Sequence, residues 1–86
     1  MTVYRIVVAR SARKELERLP PAAVARIIAR IEGLAAVPRP TGCRKLQGST
    51  DLWRVRVGDH RVIYSVDDSR RVVDVIAVRH RSEAYR

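Results

Sequence analysis

The 86 residues are read as a single domain, 1–86, with one small core. The 18 Lys+Arg against 9 Asp+Glu leave a formal net charge of +9 at pH 7, an excess that points to a polyanion, nucleic acid first and an acidic protein second. A hydrophobic fraction of 47% excludes wholesale disorder, and Cys43, His60 and His80 are too few and too scattered for a disulfide framework or a metal site.

Residues 2–8 are β-branched and aromatic and predict a strand. Ser11 suits the N-cap of a helix over 12–19 with Ala12, Leu16 and Leu19 on its inner face. Pro20-Pro21 ends that helix, and Pro21 can open the next, since proline is favoured at the first helical position. Over 22–36, Val24, Ile27, Ile28, Ile31 and Leu34 recur at helical spacing, with Arg26 and Arg30 off the stripe. The two segments predict a helical hairpin whose apolar stripe is core. Residues 37–51 hold Pro38, Pro40, Gly42 and Gly48 and read as a loop. That loop carries Arg39, Arg44 and Lys45, which either touch a substrate or are simply solvated.

Residues 52–64 read as two strands joined at Gly58-Asp59. A two-residue loop there pairs Val57 with His60, Arg56 with Arg61 and Val55 with Val62. Alternation puts Trp53, Val55, Val57, Val62 and Tyr64 on one face and Arg54, Arg56 and Arg61 on the other. Like charges opposite each other destabilise a sheet, so an anion bound to this open arginine face is the better explanation of the pattern. Residues 67–70 are a polar turn, and 71–78 are a further β-branched strand. The basic end, with His80 and Tyr85, follows that strand directly and is expected to lie beside the hairpin arginines. The order β-α-α-β-β-β predicts an α+β fold: an antiparallel sheet with the helical pair on one face and the arginines on the other. The first ten residues lack the apolar core of a signal peptide and no segment suits a membrane span, so a cytoplasmic protein without a membrane partner is expected.

In its Lys45-Leu46-x-Gly48 segment, its 52–64 hairpin and its Val78-Arg79-His80-Arg81-Ser82-Glu83-Ala84-Tyr85 end, the chain resembles the RelE/ParE family of type II toxin–antitoxin toxins. The Ser-Ala-Arg-Lys-Glu-Leu start of the first helix and the Leu-Pro corner also fit, so the resemblance covers essentially the whole chain. The RelE branch implies a RelE-like fold and a ribosome-dependent mRNA endonuclease that cuts in the A site. The ribose 2′-hydroxyl would attack the adjacent phosphate, with no metal and no cofactor. Carried over by motif, the catalytic positions are Arg54, Arg56, Arg61, Arg81 and Tyr85, with Arg79 in place of Arg81 if the register slips. Arg44, Lys45, Arg79 and His80 are the surrounding candidates for RNA contact. The implied partners are mRNA, the ribosome and a cognate antitoxin with an acidic, partly helical segment, in a toxin–antitoxin hetero-oligomer.

One departure bears on mechanism. Lysines stand in the best-known RelE members where Arg54 and Arg56 stand here. Arginine stays protonated, so the general base is unassigned, with His80 and Tyr85 as candidates. Two alternatives remain open: a ParE-like poison of DNA gyrase, and a non-catalytic basic module that binds a partner protein.

Overall fold

A short strand, β1 (Arg5–Val8), leads into α1 (Arg10–Glu17) and α2 (Pro21–Gly33), and four strands follow: β2 (Arg44–Lys45), β3 (Leu52–Val57), β4 (His60–Asp67) and β5 (Val72–His80). The computed structural model describes residues 3–82. The strands form one sheet in the order β1-β5-β4-β3-β2. The core joins Ala12 and Leu16 of α1 and Ile27, Ile31 and Leu34 of the second helical segment to Val55, Val62, Tyr64, Val73, Val75 and Val78 of the sheet. Each large aliphatic side chain buried there contributes about 1.5–3 kcal/mol. This is the expected α+β arrangement, and the hairpin register is also as expected: Val57 faces His60, Arg56 faces Arg61 and Val55 faces Val62. Gly58 has φ +59, the left-handed value that a first turn residue needs in a tight hairpin.

The structure departs from the sequence expectations at several places. The sheet is antiparallel from β2 to β5, but β1 runs parallel to β5. Side-chain alternation reveals faces, not the direction in which two ends of a chain pair. Inside the predicted loop, β2 adds a fifth strand of two residues, too short to show a period. Ser11 does not cap α1, which starts at Arg10 with no side-chain cap. Its hydroxyl instead donates to the Ile76 carbonyl at 2.8 Å. The last strand extends to His80, so Arg79 and His80 belong to the sheet rather than to a tail.

A bulge in β5 sets which residues face the helices. Ile63 pairs with Ala77 but Tyr64 pairs with Val75, leaving Ile76 as the extra residue. Val75 and Val78 therefore share the core face at a spacing of three, and Arg79 turns to the open face with Arg61.

Candidate functional site

The open face is organised as lateral rows across neighbouring strands. Arg56 on β3, Arg61 on β4 and Arg79 on β5 form one row. Arg44 on β2 and Arg54 on β3 begin the next. Strands lie about 4.8 Å apart, and rows on one face are two residues, roughly 6.8 Å, apart along the strand. Arginines gathered this closely repel each other, and a bound anion relieves the repulsion.

Arg81 joins the first row through the backbone: its N–H donates to the Asp59 carbonyl at 2.8 Å, which ties the residues after β5 to the hairpin turn. A depression of about 410 Å³ is lined by Arg56, Arg61 and Arg81, with Gly58, Asp59, His60 and Ser82. A second of about 350 Å³ beside it is lined by Gly42, Arg44, Arg54, Arg56 and Arg61. Arg56 and Arg61 thus border both.

Arg61 is not on an open surface, as alternation suggested; it is 4% exposed. It sits on a central strand between the long side chains of Arg56 and Arg79. Arg56 is exposed and Arg54 half-buried.

The other candidates divide. Arg44 pairs with Arg54 and belongs to the arginine face. Lys45 pairs with Trp53, so the register puts it on the opposite face. His80 pairs with His60, on the face of Val57 and Val62; the two rings meet edge to face with centroids 5.4 Å apart. The Ser82 N–H donates to His80 Nδ1 at 3.3 Å. Arg79 is ion-paired with Glu15 of α1. Tyr85 lies outside the described residues. Among the described residues, no group of three or more His, Cys, Asp or Glu is placed to hold a metal ion.

Two features escaped sequence reasoning. Glu15 lies beside the Ala12–Leu16 stripe, four residues after Ser11, and that polar i,i+4 pair against a core stripe was the available signal. Arg39 grips Asp68 with both terminal nitrogens, at 3.2 and 2.9 Å, and lies 5.2 Å from the Trp53 ring centroid. Tyr4 adds a 2.6 Å hydrogen bond to the same carboxylate. Arg39 holds the Asp68 carboxyl below the usual carboxylate range, and Tyr4 assists. This cluster fixes the loop that presents Gly42 and Arg44. Tyr64 fixes it from below, donating to the Pro38 carbonyl at 2.7 Å, and burial pushes its hydroxyl pKa up.

A family model for the ParE toxin of type II toxin–antitoxin systems (parDE) matches residues 6–85. The toxin RelE of Mycobacterium tuberculosis is 31% identical over 84 residues, spanning 96% of this chain and 87% of that protein. A chain in the crystal structure of the archaeal RelE–RelB complex from Pyrococcus horikoshii matches with a TM-score of 0.82 at 33% identity, over 93% of this chain and 97% of that one. The toxin–antitoxin complex RelBE2 of Mycobacterium tuberculosis gives 0.84 at 27% identity, over 95% of each chain.

Proposed function

Because the chain belongs to the RelE/ParE family of type II toxin–antitoxin toxins, we propose that it is a RelE-like endonuclease that cuts mRNA on the ribosome. The observation that carries this reading is the convergence of Arg56, Arg61 and Arg81 on one depression. The 2′-oxygen loses its proton and bonds to phosphorus while the bond to the 5′-oxygen breaks and that oxygen takes up a proton. Negative charge builds on the non-bridging oxygens. Fixed guanidinium groups bind that charge more tightly in the transition state than in the ground state. Arg56 and Arg61 take this role, with Arg81 beside the leaving oxygen, while Arg54 and Arg44 hold the neighbouring stretch of backbone. Tyr85 stacks on a base or moves a proton. In-line placement of the 2′-oxygen supplies much of the remaining rate. A cognate antitoxin is the partner this reading implies, since a structural relative is a RelE–RelB complex, and an acidic, partly helical segment would complement the basic arginine face.

In-vitro translation with primer extension tests the reading. Wild-type protein is expected to cut within A-site codons only when ribosomes are present. Arg56→Ala should lose roughly two to three orders of magnitude in rate, the usual cost of one transition-state donor. Its exposed position makes it the better probe than Arg61. The matched family model carries the ParE description, which favours a second reading, a gyrase poison. Intact mRNA and normal translation, with loss of DNA supercoiling activity by gyrase, would establish that reading instead.

A further inference from the structure

β1 covers the outer edge of β5 only as far as Val75, where Val8 is its partner and the Ala9 N–H donates to the Val75 carbonyl at 2.8 Å. β5 continues to His80. Beyond Val75 its outer edge is served by side chains of α1. The Ser11 hydroxyl donates to the Ile76 carbonyl at 2.8 Å, and Glu15 Oε1 accepts the Val78 N–H at 3.0 Å. Residues four apart share one side of a helix, so α1 meets two successive outward-facing groups of the strand. The second oxygen of Glu15 pairs with Arg79.

An unpaired edge N–H needs no carboxylate, since water or a neutral acceptor satisfies it. The charge of Glu15 matters because of what Arg79 adjoins. Arg79 is the cross-strand neighbour of Arg61, and Arg61 of Arg56. A free Arg79 would add a third guanidinium to that row and compete for the same anion. Paired with Glu15, it does not line the depression that Arg56, Arg61 and Arg81 share. The same carboxylate anchors β5 at Val78, close before the point where the Arg81 N–H meets Asp59.

We propose that Glu15 is a positioning residue: it withdraws Arg79 from the anion site and fixes the end of β5, so that Arg81 completes the site. The role in cleavage rests on the nuclease reading above; the division of labour between Arg79 and Arg81 does not.

The test is NMR of arginine Nε–Hε groups in the full chain during titration with inorganic phosphate, alongside the ribosomal cleavage assay. In the wild type, Arg56 and Arg81 should shift together while Arg79 stays still. Glu15→Gln keeps an acceptor for the Val78 N–H and loses the charge. In that variant Arg79 should begin to respond, the Arg81 response should weaken severalfold, and kcat should fall about tenfold with KM little changed. Adding Arg79→Gln to Glu15→Gln should restore the Arg81 response to within about twofold of wild type, a recovery that a merely structural role for Glu15 would not give.

Arg79 responding as strongly as Arg81 in the wild type overturns the proposal, as does the absence of any arginine response. So does a Glu15→Gln protein that behaves as wild type, or a double variant that fails to recover. The wild-type titration keeps its force if Glu15→Gln fails to fold. A wild-type protein that cuts no mRNA but shows the phosphate pattern sinks the nuclease reading alone. One that cuts mRNA with Arg79 and Arg81 indistinguishable sinks this proposal alone.

Discussion

Arg56 and Arg61 are direct cross-strand partners, yet one is exposed and the other 4% exposed. Strand alternation assigns them the same face and says nothing of lateral crowding. No buried side-chain nitrogen or oxygen among the described residues lacks a partner, so the burial of Arg61 is polar and satisfied. Its substitution must therefore cost stability, whatever its role at the proposed site. Arg61→Ala is expected to lower stability by about 1–3 kcal/mol, through lost packing and a disrupted polar network. Arg56→Ala should stay within about 0.5 kcal/mol of wild type, as substitutions at exposed positions usually do. Urea midpoints at unchanged slope measure both. Equal midpoints for the two variants would mean that the buried Arg61 contributes no more to the fold than the exposed Arg56.

At the scale of elements, the strongest period in the chain, the stripe over 22–36, identified the second helix, and Ile27, Ile31 and Leu34 are indeed buried. The Gly58-Asp59 turn identified the hairpin and its register. The bulge at Ile76 was not legible, because the apolar run Val75-Ile76-Ala77-Val78 looks alike from both faces. Nor was β2, which depends on a partner strand rather than on its own two residues. The Arg39–Asp68–Tyr4 cluster joins the 37–43 loop to the β4–β5 turn and to the start of β1, segments that no local pattern relates. It makes a testable demand on pH. Asp68 has its pKa depressed in the folded protein, chiefly by Arg39. Its contribution is therefore fully present above the unfolded value, about 4, and is lost as pH falls through the lower folded value. Stability measured by urea between pH 6 and pH 2.5 should fall less steeply at the acid end in Asp68→Asn than in wild type. Parallel curves would mean that the cluster leaves the acid behaviour of the fold unchanged.

Across the whole molecule, the net charge of +9 is a weaker guide than its arrangement. Arg26 and Arg30 are exposed on the helical side, whereas Arg44, Arg54, Arg56 and Arg81 gather on the open sheet face around two adjoining depressions. A diffuse basic surface and a built anion track predict different salt behaviour. Each phosphate contact to a single strand adds about −0.7 to the slope of log K against log salt, so four such contacts give a slope near −3. Binding of a short RNA, followed by fluorescence anisotropy across a range of potassium chloride concentrations, should show that value. Arg44→Ala or Arg54→Ala should make the slope shallower by about 0.7, while Arg26→Ala should leave it unchanged. Equal losses from both sides of the molecule would mean that net charge alone attracts the RNA. On the nuclease reading proposed above, the rows on the sheet would then act after capture, on the reacting phosphate, rather than along the strand that carries it.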